Sequence, residues 1–297
     1  MIYAIDASVY VFRAWFSIPD SMVDGESNPV NALYGFTRFL GDFLEQTNPD
    51  YVAVAFDQSL GTCFRNEIYP DYKANRDPAP EELKNQFIRC QQVASALGLA
   101  DFSEETYEAD DLIGTVIHRA RAEGMPGTIV SRDKDMVQLL TDGDSLWDYA
   151  GNRRVHYHQV PNEYGVRPEQ MVDFLALAGD SVDNIPGVRG VGQKTATALL
   201  AHFESLDHIY DNISEVSGLS FRGAKTMGQK LLDSREQAYL SRQLTQIHCD
   251  VPVNTSTKVL KRRRPDLGTL THLYNQAGFG SALRRQADRI ADQFDEA

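Results

Sequence analysis

The chain has 297 residues, 42% of them apolar and 24% charged, which is ordinary for a globular protein, and no apolar stretch approaches the roughly 20 residues of a membrane helix. The three cysteines lie far apart and predict neither a disulfide framework nor a zinc site, and the N-terminus lacks the regions of a signal peptide, which favours the cytoplasm. The net charge of −13 argues against a nucleic-acid partner unless the acidic residues are concentrated around bound cations, which reverse the local field.

Three short runs favour β-strands, and each ends in aspartate: residues 2–6, 51–57 and 128–133. The first two are almost continuously apolar, as expected for strands covered on both faces. Between the second and third runs, apolar residues recur at helical spacing over 81–97 and 110–122. This alternation predicts an α/β fold with a mainly parallel central sheet flanked by helices. Because parallel strands end at one edge, Asp6, Asp57 and Asp133 should meet there.

The second half of the chain has a different pattern. Beyond about Val160 the strand signal fades, and glycine and proline interrupt a helical pattern. We therefore expect two units, an α/β core over 1–160 and a helical subdomain over 161–297. Within the core, the proline-containing segment 66–80 is predicted to be a mobile crossing element.

Further acidic residues occur at close spacing around residues 108–111, 133–135 and 180–183. Any one of them could be a helix cap, an ion-pair partner or a solvated group. Three strands that each end in aspartate are harder to explain in that way. Carboxylates without a nearby histidine or cysteine pattern favour Mg²⁺ or Mn²⁺ over zinc. The set predicts a site for two or more divalent ions, and its members are Asp6, Asp57, Glu108, Asp110, Asp111, Asp133, Asp135, Asp180 and Asp183.

The glycine-rich segment 185–196 is typical of a helix–hairpin–helix, here spanning about 171–202. Its glycines allow a tight turn, and the next helix presents its positive end to a phosphate. An ordinary helix–helix turn is the alternative, but the adjacent basic residues favour phosphate binding. The expected DNA contacts are Gly187, Arg189, Gly190, Gly192, Lys194 and Thr195. Inward carbonyls could also hold a monovalent cation such as K⁺, with Leu177, Ala178, Pro186, Val188 and Val191 as candidate donors.

Basic and aromatic residues alternate between residues 64 and 76. Cations can contact phosphates while aromatic rings stack on unpaired bases, so Arg65, Tyr69 and Tyr72 are candidate DNA contacts beside Lys73 and Arg76. Acidic residues in the same segment leave a solvated loop as an equal alternative. Two other basic groups, at 222–230 and 258–264, suit either duplex contacts or surface charge.

Together these motifs resemble the 5′-nuclease, or flap endonuclease, family, particularly the 5′→3′ exonuclease domain of bacterial DNA polymerase I and its free-standing relatives. The resemblance runs from residue 1 to about Gly280. It departs at Phe16 and Ala7, where polymerase-linked domains commonly have histidine and glycine. The matching stretches are Ile5–Ser8 with Arg13, Phe56-Asp57, Phe64–Glu67, Tyr72–Arg76, Tyr107–Asp111, Asp133–Asp135 and Gly179–Ala196.

The resemblance implies a PIN-like core, a helical arch at about 64–100 and a C-terminal helix–hairpin–helix. It also implies a structure-selective 5′→3′ exonuclease and flap endonuclease that cuts DNA near single-strand/double-strand junctions by a two-metal mechanism, in replication and repair. Lys73 and Arg76 would be catalytic residues at the foot of the arch, and Arg13 would contact DNA. The first metal site would use Asp6, Asp57, Glu108, Asp110 and Asp111, and the second Asp133, Asp135, Asp180 and Asp183, some through water.

Two other functions compete with this one. A catalytically weak protein of the same fold could bind branched DNA, but the complete set of nine acids counts against it. The pair Asp133 and Asp135 also suggests an aspartyl-phosphate phosphohydrolase, yet that motif normally follows the first strand and not the third. We expect a monomer that binds flapped, nicked or branched DNA and no membrane. The chain is either a free-standing enzyme or an excised domain, and the strand that begins at Met1 favours the former.

Overall fold

The computed structural model describes residues 1–58 and 63–295. Its central feature is a sheet of six strands: β1 (Ile2–Asp6), β2 (Tyr51–Asp57), β3 (Ala100–Glu104), β4 (Gly127–Val130), β5 (Ser145–Asp148) and β6 (Arg153–His156). The strand order is β3-β2-β1-β4-β5-β6, and every neighbouring pair is parallel except β5 and β6. This confirms the predicted α/β fold with a mainly parallel sheet.

Helices cover both faces of the sheet. The first-half helices are α1 (Ala7–Ser17), α2 (Asn31–Thr47), α3 (Phe64–Ile68), α4 (Glu81–Ala96) and α5 (Ala109–Ala122). Alternate residues of β2 enter different cores: Val52 and Val54 pack with α1, α2 and α4, whereas Ala53 and Ala55 face α5. Burial on both faces explains the continuous apolar sequence of this strand.

The predicted helices over 81–97 and 110–122 are confirmed as α4 and α5 within one residue at each end. The third predicted strand is shorter than expected, because β4 ends at Val130 and Asp133 lies in the turn that follows. Strands β3, β5 and β6 were not predicted, since each is only four or five residues long and carries several polar side chains.

The second half is helical, as predicted. Its helices are α6 (Val160–Tyr164), α7 (Met171–Ala178), α8 (Gln193–Phe203), α9 (Leu206–Asp211), α10 (Ala224–Asp233), α11 (Arg235–Thr245), α12 (Thr257–Leu260), α13 (Leu267–Gln276) and α14 (Ser281–Asp292). Helices α13 and α14 return to the α/β half, where they pack beside α2 and α4. Among the described residues, no helix has both the length and the apolar character needed to cross a bilayer.

Candidate active site

The carboxyl edge of the sheet carries the strand-end aspartates that the sequence predicted to meet. Asp6 caps α1, with its Oδ1 accepting from Val9 N at 3.3 Å, and its Oδ2 accepts from Ser131 Oγ at 2.8 Å. Asp57 Oδ1 accepts from Ala109 N at 2.8 Å, which ties the end of β2 to the start of α5. These short links at strand ends and helix starts hold the carboxylates at one edge.

The electrostatics show that these carboxylates crowd one another. Burial and the neighbouring charge of Asp57 raise the pKa of Asp6 to about 7. Burial, together with the charges of Asp133 and Asp6, raises the pKa of Asp110 well above its usual range. Asp6 therefore lies within electrostatic reach of Asp57, Asp110 and Asp133, and a bound divalent cation would stabilise such a group of like charges.

A second group of acids surrounds Asp135. Burial and the charge of Asp133 raise the pKa of Asp135 to about 7. Its Oδ1 is buried and, within residues 1–58 and 63–295, has no hydrogen-bond partner. Asp180 accepts from Lys134 Nζ at 2.7 Å and from Val182 N at 2.8 Å. Lys134 Nζ lies 3.5 Å from Asp135 Oδ1, too far for a good hydrogen bond. A buried carboxylate oxygen without a hydrogen bond is a ligand that a metal cation could bind.

Basic side chains contact the remaining acids. Glu108 accepts from Tyr72 Oη at 2.9 Å and from the Lys73 ammonium, while Asp183 pairs with Arg76 and lies 3.7 Å from Lys73 Nζ. Lys73 itself has φ +55°, a backbone conformation that lysine rarely adopts, and its N–H donates to Asp183 O at 3.0 Å. The structure thus brings both predicted catalytic cations to the carboxylate edge.

The fit of this site to a divalent metal rests on its chemistry. In the parts of the chain that are described, no three acidic, histidine or cysteine side chains form a ready-made metal site. The side chains nevertheless suit Mg²⁺ or Mn²⁺, because their ligand atoms are carboxylate oxygens. One of these oxygens is buried without a hydrogen bond, and several of the carboxyl groups have raised pKa values. The predicted metal ligands other than Asp111 lie at this edge, in the turn after β4, or in the segment after α7. In that last segment, Asp180 pairs with Lys134 and Asp183 with Arg76.

Asp111 is placed elsewhere. Its side chain is fully buried, and each carboxylate oxygen already accepts two hydrogen bonds, from Arg65, Glu108 N and His248 N. A metal ligand would have to give up these bonds, so the structure does not bring Asp111 to the acidic cluster. The same contacts contradict the prediction that Arg65 binds DNA: Arg65 is only 2% exposed, and its guanidinium faces the protein interior.

The prediction that Tyr72 contacts DNA is also wrong. It is 4% exposed and donates to Glu108, so it cannot stack on an unpaired base as predicted. Tyr69 is half-buried against the small apolar cluster of Tyr72, Ile185 and Leu244. Arg13 lies exposed on α1, and Arg76 keeps 48% of its side chain exposed. Of this group, Arg13 and Arg76 remain open to a charged ligand.

The glycine-rich turn joins α7 to α8 as predicted. Gly187 has φ +62°, and a Cβ there would lie 2.3 Å from Gly179 N, so only glycine fits. Gly190 has φ +83° and is exposed, as are Arg189 and Lys194. Lys230 of α10 also reaches this turn, with its Nζ 3.3 Å from where a Gly190 Cβ would lie. The exposed backbone and three cations make this turn a candidate phosphate contact.

Two other predictions about binding residues can be placed. Among the five carbonyls proposed for K⁺, Leu177 O and Val188 O accept backbone hydrogen bonds at 2.8 and 2.9 Å, and a cation there stays a prediction. The basic group at 258–264 lies near the start of β2, where Arg262 donates to Asn48 Oδ1 at 2.9 Å. That is the sheet edge opposite the carboxylates, so this group does not extend the site.

The crowding of the acids predicts a stability effect in metal-free protein. The pKa of Asp135 is about 7 in the folded chain and near 3.8 ordinarily, so its charge destabilises the fold increasingly as pH rises from about 4 to 7. In EDTA, Asp135→Asn should therefore melt at a higher temperature than wild type at pH 8, and the difference should shrink at pH 5. Thermal unfolding measures this. The exposed Asp142→Asn is the control, and an equal gain at both pH values would contradict the assignment.

Comparison with known proteins agrees with this architecture. A model of the 5′-3′ exonuclease N-terminal resolvase-like domain matches residues 1–165, and one of the 5′-3′ exonuclease C-terminal SAM fold matches residues 166–268. The chain belongs to the 5′-3′ exonuclease family. This confirms the family membership that the motifs predicted, and it places the chain among nucleases.

Relatives of this 5′-3′ exonuclease family member include free-standing and polymerase-linked proteins. It is 34% identical over 279 residues to the 5′-3′ exonuclease of Buchnera aphidicola, covering 94% of this chain and 96% of the relative. It is 38% identical over 280 residues to DNA polymerase I of Pseudomonas aeruginosa, covering 94% of this chain but 30% of the relative. The chain thus spans about a third of the polymerases that it matches.

Solved structures share the fold of this exonuclease family member. The T5 D15 protein co-crystallised with metal ions has a TM-score of 0.67 at 21% identity, with 98% of both chains covered. The catalytic core of Rad2 in complex with DNA substrate has a TM-score of 0.64 at 16% identity, covering 97% of this chain and 90% of the other. At these identities the likeness shows the fold alone.

Proposed function

We propose that this chain is a divalent-metal-dependent 5′ nuclease that hydrolyses DNA phosphodiesters near single-strand/double-strand junctions, as a 5′→3′ exonuclease and flap endonuclease in replication and repair. The observation that carries the proposal is the gathering of Asp6, Asp57, Asp110 and Asp133 at one sheet edge with Lys73 beside them. Support also comes from neighbours in the same fold: Rad2 is described with DNA substrate, and the T5 D15 flap endonuclease with DNA and metal ions.

Bound Mg²⁺ or Mn²⁺ would supply Lewis-acid stabilisation of the phosphate and a lowered pKa for attacking water. The residues that would hold such ions are Asp6, Asp57, Glu108, Asp110, Asp133, Asp135, Asp180 and Asp183. The protein orients several of them through hydroxyl groups. Ser131 Oγ donates to Asp6 and accepts from Asp133 N at 3.0 Å, while Ser8 Oγ accepts from Asp57 N at 3.3 Å.

Basic groups would bind the DNA and stabilise charge on the reacting phosphate. Lys73 and Arg76 lie at the acidic edge, where their charges can stabilise the negative charge that builds on the reacting phosphate. The turn between α7 and α8 would hold a duplex phosphate through exposed backbone, Arg189 and Lys194. Arg13, exposed on the helix that Asp6 caps, would contact the backbone near the cut.

The proposal is tested with a duplex that carries a 5′-labelled single-stranded flap. In Mg²⁺ or Mn²⁺ the protein should release short labelled products cut near the junction, and EDTA should stop the reaction. A fully single-stranded control of the same sequence should be cut much more slowly. Binding without any cleavage in either metal would instead favour the catalytically weak branched-DNA-binding protein.

The glycine-rich turn gives a separate prediction for DNA binding. Gly190→Val should weaken duplex binding more than Lys194→Ala, because valine strains a backbone at φ +83° and blocks its approach to phosphate. Lys194→Ala should also lower the salt slope of binding by about one. Duplex affinity measured across a salt series in Ca²⁺ tests both. The exposed Lys258→Ala, at the opposite sheet edge, should leave affinity unchanged; normal binding by both turn variants would show a purely structural turn.

A further inference from the structure

Helix α11 contacts both the candidate phosphate-binding turn and the residues behind the acidic cluster. Near its start, Gln237 Nε2 donates to Gly187 O at 2.8 Å. One turn further along, Ser241 Oγ accepts from Gly187 N at 3.1 Å. At its end, Leu244 O accepts from Arg65 Nε at 2.8 Å, and Gln246 O accepts from Arg65 Nη2 at 2.9 Å. The stretch of α11 from Gln237 to its C-terminal end thus connects the two places.

Arg65 continues the connection to the acids. Its Nη1 donates to Glu108 Oε2 at 3.0 Å, and its two terminal nitrogens form a bidentate pair with Asp111 at 2.8 Å each. With the bonds to α11, every N–H of this buried guanidinium is used. The planar fork of arginine makes such an arrangement geometrically rigid, and lysine cannot reproduce it.

We propose that Arg65 is a positioning residue that, through α11, fixes Glu108 at a set distance from the Gly187–Gly192 turn and so determines which phosphodiester is cut. This inference rests on the proposed nuclease function. A DNA duplex is stiff over tens of base pairs, so a phosphate held at the turn places the backbone at a defined point relative to the acids. Loosening the contacts of α11 with either Gly187 or Arg65 lets the DNA shift along the carboxylate edge.

Two variants loosen the connection at different ends. Arg65→Lys keeps the buried charge but loses the fork, whereas the double variant Gln237→Met and Ser241→Ala releases Gly187 and leaves Arg65 untouched. The measurement is the cut position at nucleotide resolution on the labelled flap duplex, in single turnover at saturating enzyme. We expect wild type to cut mainly at one phosphodiester. Both variants should spread products over neighbouring positions, and Arg65→Lys should also lower the rate about tenfold.

Arg119→Ala is the matched control. Arg119 lies on α5, the helix that begins directly after Glu108. It anchors α5 to the segment after α11 by donating to Val251 O and to Asp250 Oδ1, both at 3.0 Å. These contacts involve neither Glu108 nor α11. It should lower the melting temperature and leave the product pattern unchanged. Wild-type cut positions in the double variant would overturn the inference even if Arg65→Lys failed to fold. Absence of cleavage by wild type would instead refute the proposed function, and the inference with it.

Discussion

Replacing Asp110 or Asp135 with asparagine is expected to lower the single-turnover rate of flap cleavage about 10³-fold or more. Asparagine has nearly the same shape but offers a neutral oxygen, so it binds a hard divalent cation more weakly. A loss of about 4 kcal/mol of transition-state stabilisation corresponds to that factor. Asp110 lies among the strand-end acids and Asp135 in the second group, so the two variants test both halves of the cluster.

The same variants should bind the flap duplex almost normally in Ca²⁺, since the glycine-rich turn and Arg13 are unchanged. Asp142→Asn provides the control, because that side chain is 80% exposed and pairs with His158 at the surface. It should cut at the wild-type rate. Cleavage near the wild-type rate by Asp135→Asn would refute a role for the second group of acids.

Lys73→Ala should lower the single-turnover rate about 100-fold and weaken flap binding far less. The Lys73 ammonium contacts Glu108 and lies 3.7 Å from Asp183, so it sits where the reacting phosphate would approach the acids. Burial favours neutral Lys73, but the negative charges of Glu108 and Asp183 outweigh it and raise the pKa of Lys73 well above its usual value. Lys73 therefore stays charged. A charge that acts mainly in the transition state affects the rate more than the affinity.

Lys84→Ala is the matched control for Lys73. Lys84 is exposed on α4, and its ammonium pairs with the carboxylate of Glu81 at 2.5 Å. It should leave both rate and affinity unchanged. If Lys73→Ala changed only the affinity, with the rate at saturating enzyme untouched, the segment 69–76 would serve to gather DNA, and chemistry would depend on the metals alone.

The sequence predicted those helices and strands whose burial produces a clear apolar pattern in the local sequence. Strands β1 and β2 are apolar on both faces, and each ends in an aspartate at the carboxyl edge. Both the strands and the acidic side chains at their ends could therefore be predicted from the sequence. Helices α4 and α5 carried a clear apolar stripe. Strands β5 and β6 were missed because four residues with one or two buried positions leave almost no pattern.

The errors at the site share a different cause. Arg65 and Tyr72 belong to a polar, aromatic segment that looks exposed, but they are buried by partners remote in the chain, such as Leu244, which lies 179 residues from Arg65. Periodicity within one segment cannot reveal such contacts. The residues that orient the acids were missed for the same reason, since nothing local distinguishes Ser131 from any other serine after a strand.

The most direct test of the proposed site is anomalous diffraction from crystals of the protein grown with Mn²⁺ and a flap-derived product DNA. We expect manganese at the carboxyl edge of the sheet, in contact with the side chains of Asp110 and of Asp133 or Asp135, and DNA phosphate beside it. Manganese bound only elsewhere, with this edge free of metal while the same protein cuts DNA in solution, would contradict the assignment of these carboxylates as the metal-binding centre of the nuclease.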